Sequence, residues 1–319
     1  VGWTPFGWVW SAPAEAGRGA VLLAVVKLAL ALALVAVLWL AWRMLLDRAL
    51  VSPLGADRSG GRVRTGRVLD RLSMRSPAGA VAARSLRYWR RDPRYLAGGI
   101  VSLLMPVVLV VTNGINSGAG ARSPALLAAP LGLGFFAGMT AAQELSYDGT
   151  ALWLHATSGL RGVEDRLGRA IAVLIVSLPM LLVLLVLAGL LTGRGDLELS
   201  AAAGALAVIL GGTGVGVLVG SYLQVAVPPP GANPFQSNSG GGVQGLISML
   251  LTLAGTGLSA LPALVLAALG MHSPSLAVLA LVVALAIGGL VLVVGVRAGG
   301  ARLDRAWPEV LAAVSRATD

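Results

Sequence analysis

The sequence predicts an all-α fold, namely a polytopic membrane protein with about seven transmembrane helices. Hydrophobic residues make up 56% of the 319 residues, whereas charged residues make up only 12%. The mean hydropathy is +0.84, and several apolar runs reach the roughly 20 residues that a helix needs to cross a bilayer. A soluble chain of this length could not bury so much apolar surface. We therefore expect the protein to lie in a membrane.

Seven apolar runs, separated by polar segments, define the predicted spans. They cover residues 20–42, 96–113, 125–142, 170–191, 201–225, 243–269 and 276–296. Lys27 lies inside the first run, and we expect its amine to reach the lipid headgroups rather than to act as a buried functional cation. Pro106, Pro130, Pro179 and Pro262 are expected to kink four of the other spans.

The placement of arginine predicts which side of the membrane each connection faces. Residues 43–95, 143–169 and 297–319 carry 13, 3 and 4 arginines. The connections on the other side carry only Arg18, Arg122 and Arg194. Because basic connections stay in the cytoplasm, the N-terminus is predicted outside and the C-terminus inside. The excess of Arg, Ala, Gly and Val is typical of a GC-rich bacterial genome, so a bacterial plasma membrane is expected.

The basic connector 43–95 ends in a predicted amphipathic helix. Ser76 is a candidate N-cap, Pro77 suits the first turn, and Pro93 should end the helix. Such a helix, with arginines on one face and apolar side chains on the other, suits the surface of an anionic membrane. The adjacent spans favour this use over nucleic-acid binding. The residues predicted at the membrane surface are Arg84, Arg87, Trp89, Arg91 and Arg94.

The polar segment 143–169 is the candidate functional site, because it carries charges and aromatic side chains between two spans. It can be a plain connector or a docking surface for a partner in the adjacent water phase. We interpret it as a docking surface, because Trp is enriched in interface pockets. Asp148 is expected to cap a short helix that follows it. The residues predicted to couple to the partner are Tyr147, Asp148, Gly149, Leu152, Trp153, Leu154 and His155.

The residue types within the spans argue against catalysis and ion-driven transport. None of the 14 acidic residues and neither histidine lies within a predicted span, and the chain has no cysteine. Carboxylate-dependent carriers and intramembrane metal enzymes need such groups at depth. The only lysine, Lys27, does not follow a Gly-rich loop, so the chain has no Walker A motif. We therefore predict that the chain is not an enzyme and binds no cofactor or metal itself.

Two stripes are expected to shape the bundle. Gly212, Gly216 and Gly220 repeat every four residues, a spacing that favours close helix packing. Hydroxyl side chains share one face of the span that follows. They can bond to the preceding turn of their own helix, or they can form a mildly polar lining of a translocation path. These possible path-lining residues are Ser248, Thr252, Thr256 and Ser259.

The chain resembles the membrane domain of ABC type-2 (type V) exporters, and its actinobacterial members in particular. The resemblance lies in an amphipathic helix before six spans, with a charged, aromatic segment between the second and third of them. It also lies in the sequences ARSLRYWRRDPRYL, ELSYDGTALWLHATSGLRGVEDRLGR and PPPGANPFQSN. It implies a six-span permease domain at residues 76–319. Residues 1–75 would then hold an outer interfacial segment, a leading helix and a basic connector, which look like the end of a preceding membrane half whose N-terminal portion is missing.

The resemblance further implies what the chain does and with which partners. Residues 76–92 would form an elbow helix, residues 147–157 would hold the coupling helix, and short re-entrant helices would lie near residues 270–274. The coupling helix would dock on a separate ABC ATPase subunit, which binds ATP and Mg. A second membrane half, fused upstream or separate, or a homodimer would complete an exporter of amphiphilic or hydrophobic substrates. Two alternatives stay open: a membrane-embedded enzyme or lipid-handling protein with its active residues in a missing N-terminal portion, and a membrane anchor for a partner complex.

Overall fold

The computed structural model describes residues 7–51, 76–92, 95, 100, 104, 108, 124–224 and 242–315. Within these residues every regular element is a helix, which confirms the predicted all-α class. The chain divides into two compact units, Val1–Arg64 and Thr65–Asp319.

Nine α-helices lie in the described part of the chain. They are α1 (Trp8–Gly17), α2 (Val21–Val51), α3 (Pro77–Arg91), α4 (Ala129–Asp148), α5 (Trp153–Thr157), α6 (Gly162–Thr192), α7 (Glu198–Tyr222), α8 (Gly242–Gly270) and α9 (Pro274–Ser315). Short 3-10 helices at Pro124–Ala128, Gly149–Leu152 and Gly195–Leu197 precede α4, α5 and α7.

Six segments of these helices are long and apolar enough to cross a membrane. They are Val21–Asp47, Leu126–Asp148, Gly162–Thr192, Gly195–Tyr222, Gly242–Gly270 and Pro274–Val314. The predicted multi-pass membrane protein is thereby confirmed. The seventh predicted span, 96–113, lies almost entirely outside the described residues.

The first unit contains a pair of helices joined by a partly buried ion pair. Lys27 on α2 is only 1% exposed, and its amine donates a hydrogen bond of 2.9 Å to Glu15 Oε1 on α1. This differs from the expectation that Lys27 extends to the headgroups. A buried ammonium is costly without a counter-charge, and Glu15 supplies one. The hydrogen bond from Lys27 holds the pKa of the Glu15 carboxyl below its usual value.

The second unit is built around α7, which packs against α4, α6, α8 and α9. The predicted stripe of Gly212, Gly216 and Gly220 lies against the backbone of α4. A Cβ on Gly212, for example, would come within 2.9 Å of the Gly134 carbonyl oxygen. The packing role predicted for the stripe is confirmed, because side chains larger than hydrogen would force the two helices apart.

The hydroxyl stripe of α8 is mostly buried, and its second half faces α7. Ser248, Thr252 and Thr256 are buried, and a Cβ on Gly212 of α7 would meet Thr256 Cγ2 at 3.3 Å. Ser259 Oγ donates a hydrogen bond of 3.0 Å to the Thr256 carbonyl oxygen. Part of the stripe thus serves helix packing and local hydrogen bonding, and its role as a path lining stays a prediction.

The last two helices differ from expectation at the turn that joins them. α8 ends at Gly270 and α9 begins at Pro274, so the three residues between them leave no room for re-entrant helices. α9 then continues to Ser315 with one break at Ala306, where φ is −139° and ψ is 27°. The break precedes Pro308, which lacks an N–H and whose ring clashes with the preceding turn.

Candidate functional site

The predicted polar loop 143–169 is largely helical. α4 continues to Asp148, the 3-10 helix and α5 follow, and α6 begins at Gly162. The connection between the two long helices, which we call the corner segment (residues 149–161), consists of this 3-10 helix, α5 and a short turn. Gly149 and Gly159 adopt φ values of +52° and +71° there, a conformation that side chains with a Cβ rarely adopt. The expectation that all acidic residues lie outside the spanning helices is therefore wrong, because Glu144, Asp148 and Asp165 lie at helix ends.

These acidic residues belong to a mostly buried set of side chains that joins four helices, which we call the charge cluster. It comprises Arg84 of α3, Glu144 and Asp148 of α4, His155 of α5, and Asp165, Arg166 and Arg169 of α6. Arg166 and Arg169 are among the largest fully buried side chains of the described residues. Three carboxylates face three guanidinium groups, so their formal charges cancel. That balance makes burial of so many ions tolerable, because each is paired and hydrogen-bonded.

Asp165 accepts hydrogen bonds from three side chains of the cluster. Its Oδ2 accepts from Arg166 Nη2 at 2.5 Å and from Arg169 Nε at 3.0 Å. Its Oδ1 lies 2.6 Å from His155 Nδ1. Charge-assisted hydrogen bonds of this kind are roughly twice as strong as neutral ones. The first turns of α6 are thereby fastened to α5.

Arg169 extends the cluster from α6 to α4, and Glu144 extends it from α4 to α3. Arg169 Nη2 donates to Asp148 Oδ2, and Nη1 donates to the Glu144 carbonyl oxygen at 2.7 Å. The Glu144 carboxylate in turn accepts a hydrogen bond of 2.6 Å from Ser85 Oγ. All three contacts are buried, so water does not compete for them.

Arg84, which was predicted to lie at the membrane surface, faces the protein interior. Instead of facing lipid headgroups, it donates to Asp148 Oδ1 at 2.9 Å, to His155 Nε2 and to the Tyr88 hydroxyl at 3.0 Å. Because a guanidinium only donates, Nε2 of His155 must accept, and the proton of the ring lies on Nδ1 and points to Asp165. Arg84 thus fixes one tautomer of His155 and ties α3 to the corner segment.

The remainder of α3 agrees in part with its prediction. Ser76 Oγ accepts a hydrogen bond of 3.0 Å from the Gly79 N–H, which confirms the N-cap. Arg87 and Trp89 are half-buried and Arg91 is exposed, so their contact with lipid stays a prediction. Arg94 lies outside the described residues.

Asp148 does not cap the short helix as predicted. It is the last residue of α4, and Leu152 occupies the N-cap position of α5 without a side-chain cap. The carboxylate of Asp148 is engaged by two arginines instead. Leu152 is fully buried and packs in one core with Leu303 and Val310 of α9. The Gly162 N–H, at the start of α6, donates to Asp304 Oδ1 at 2.6 Å, so α9 holds the corner segment from a second side.

The remaining predicted coupling residues lie on the outside of this assembly. Trp153 and Leu154 are 50% and 49% exposed, whereas His155 beside them is buried. Tyr147 stacks with its ring centroid 4.5 Å from that of Tyr95, and burial raises the pKa of the Tyr95 hydroxyl well above its usual value. A groove of about 380 Å³ lies next to α5, bordered by Val81, Arg84, His155, Leu160 and Glu164 among others.

The arrangement joins four helices through paired charges and hydrogen bonds. The carboxylates of Asp148 and Asp165 are engaged by arginines, and among the described residues no group of three or more His, Cys, Asp or Glu is placed to hold a metal. Sequence reasoning identified the corner segment but missed the charge cluster. The signal was present: Glu144 and Asp148 lie four residues apart before the corner, and Asp165 and Arg169 lie four apart after it, so each pair shares a helix face.

Comparison of the chain with protein-family models, with curated proteins and with solved structures finds no match.

Proposed function

We propose that the protein is the membrane-spanning permease subunit of an ATP-driven ABC exporter, and that a separate ATPase subunit docks on its corner segment. The proposal rests on a multi-pass helical bundle that presents a compact polar corner between two of its spans. The arginine distribution supports a cytoplasmic position for this corner in a bacterial plasma membrane. ATP and Mg belong to the partner subunit, and a second membrane half or a second copy of this chain completes the transporter.

The observation that carries the proposal is the contrast between neighbouring residues of the corner segment. Leu152 is buried in the core and His155 in the charge cluster, while Trp153 and Leu154 between them are half exposed. Their backbone is held from three sides, by α3, α6 and α9. Large apolar side chains on a fixed polar surface are typical of the central anchors of protein interfaces. A rigid anchor also loses little conformational freedom when a partner binds.

The charge cluster explains how such a docking surface can move the spans. Because the two ring nitrogens of His155 join α5 to α6 and to α3 through hydrogen bonds, a displacement of α5 acts on helix ends rather than on a flexible loop. The bundle that follows is joined through close backbone contacts of α7, which transmit strain because packed interiors are nearly incompressible. The substrate would be amphiphilic or hydrophobic, in keeping with the apolar surfaces of the spans.

The test is affinity purification of the full chain from its native membranes, with the co-purifying subunit identified by mass spectrometry and by ATP hydrolysis. In the variant Trp153→Ala we expect capture of the ATPase to fall at least tenfold, because interface tryptophans commonly contribute 2 kcal/mol or more. The variant should unfold at the wild-type temperature, because half of the side chain is exposed.

The matched control is Trp10→Ala, which removes another exposed tryptophan, 84% accessible on α1. It should leave ATPase capture unchanged. Wild-type levels of ATPase capture, hydrolysis and export in Trp153→Ala would refute docking at this segment.

A further inference from the structure

A second cavity lies at the end of α4 opposite the corner segment. It is partly open and has a volume of about 190 Å³, and its wall includes Leu131, Leu197, Ser200, Gly204, Leu264 and Met271. It is formed where the N-terminal ends of α4 and α7 meet the C-terminal end of α8. Leu131 in its wall and Glu144 in the charge cluster are 13 residues apart on α4, a separation of about 20 Å along the helix. The two features are therefore separate.

The wall of this cavity is uncharged and mostly apolar. Among the described residues that line it, leucine, alanine and methionine predominate, and none carries a charge. Gly204 lets the neighbouring leucines pack closely on this part of the wall, because a Cβ there would come within 3.2 Å of Leu264 Cδ2 and 3.4 Å of Leu131 Cδ2. A charged ligand would lose its hydration there without a counter-ion.

Ser200 supplies one polar group in this apolar wall. It is 4% exposed, and its hydroxyl makes no hydrogen bond with any described residue. A serine in a helix commonly bonds to the carbonyl one turn earlier, but Ser200 does not. Since a hydroxyl can rotate to serve as donor or acceptor, a ligand oxygen near Ser200 would gain a hydrogen bond that is otherwise unmade.

We propose that this cavity binds the apolar portion of a neutral amphiphile with one hydrogen-bonding oxygen beside Ser200. A closed apolar cavity of about 150 Å³ is enough to hold a benzene ring, so the volume here admits a substituted ring or a short alkyl segment. The site is distinct from the proposed ATPase docking surface. Its test needs no ATPase, so its failure and that of the proposed function are distinguishable.

The experiment uses the full chain in lipid nanodiscs and a 4-alkylphenol that carries a diazirine in its alkyl chain. After photolysis, peptides from the start of α7 and the end of α8 should carry most of the label. Two competitors of nearly equal size, p-cresol and p-xylene, are compared at equal mole fraction in the lipid. We expect p-cresol to compete at a severalfold lower mole fraction, because only p-cresol can bond to Ser200.

Two variants distinguish the contribution of the Ser200 hydroxyl from that of the cavity volume. Ser200→Ala should remove the preference for p-cresol, so that the two competitors act at equal mole fractions. Ala268→Leu, at an exposed lining position, should reduce labelling at least fivefold, whereas Ala254→Leu, at another exposed alanine of α8, should not. Label spread evenly over lipid-facing residues would overturn the proposal, as would an unchanged p-cresol preference in Ser200→Ala.

Discussion

Asp165 receives hydrogen bonds from Arg166, Arg169 and His155 and is fully buried. Two of these partners are guanidinium groups that remain charged at any pH at which the protein is folded. Their burial depends on carboxylates within the same cluster. Residues that in the sequence look like a solvated charge run are therefore part of the interior, and their contribution to stability lies in mutual compensation.

Replacement of Asp165 with Asn tests this compensation. The amide keeps the size of the side chain but removes the negative charge, so two buried arginines lose a counter-ion. We expect the free energy of unfolding to fall by about 3–5 kcal/mol, the range seen when one partner of a buried ion pair is removed. Thermal unfolding of the purified protein in detergent measures the change. Asp196→Asn is the control, because Asp196 forms an exposed pair with Arg194 and exposed pairs add little. Equal melting temperatures for the two variants would show that the cluster does not stabilise the fold.

Among the helices, α3 illustrates how close packing positions the cluster. It packs along α6 where Gly168 leaves room for it, and a Cβ on Gly168 would come within 2.5 Å of the Ala78 carbonyl oxygen. Arg84 and Ser85 reach Asp148 and Glu144 only when α3 lies this near. The close packing at Gly168 and the bonds made by Arg84 and Ser85 thus depend on one another.

The variant Gly168→Ala should separate α3 from α6. We expect a loss of about 1–3 kcal/mol in the free energy of unfolding, as is typical of overpacking. The matched control is Gly257→Ala on α8, where a Cβ would meet nothing within 4 Å. That variant should be neutral, or more stable by up to about 1 kcal/mol, because Ala favours helix over Gly. The melting temperatures of the two variants are compared. If Gly168→Ala is as stable as Gly257→Ala, the close packing of α3 against Gly168 does not stabilise the fold.

The same helix shows how far the sequence could predict the structure. The start of α3 was predictable because Ser76 and Pro77 act within one turn. The inward direction of Arg84 was not predictable, because its partner Asp148 lies 64 residues away in the sequence. An arginine among apolar residues is equally typical of a helix that contacts lipid. The spans were predicted from local apolar runs, but the end of α4 was predicted too early and the start of α6 too late. Glu144 and Asp165 look like loop residues until their partners are known.

At the scale of the whole molecule, α7 is the helix around which the second unit is assembled. The corner segment and the α8–α9 turn lie at opposite ends of this unit. α4 and α6 meet at the corner, whereas α8 and α9 meet at the opposite end. A fold with this arrangement places the two turns on opposite sides of a bilayer.

That arrangement can be tested with single cysteines, since the chain has none. Ser158 in the corner segment and Ser275 beside the α8–α9 turn are both exposed. We expect an impermeant maleimide to label Ser275→Cys in intact cells and Ser158→Cys only after permeabilisation, because the arginine-rich side should be cytoplasmic. The reverse pattern would invert the orientation, and labelling of both in intact cells would contradict passage across the membrane between them.

Because α6 is long and unbroken, a small rotation at the charge cluster is amplified along the helix. The helix has 31 residues and is therefore about 46 Å long, with its first two turns clamped by Asp165, Arg166 and Arg169. If those turns pivot by about 5°, the far end of a straight helix moves by about 4 Å, compared with a rise of about 5.4 Å for one helical turn. Pro179, near the middle, divides this arm into a half fixed to the corner and a half that can bend. A small rotation of the clamped turns would thus become a larger displacement along the rest of the helix.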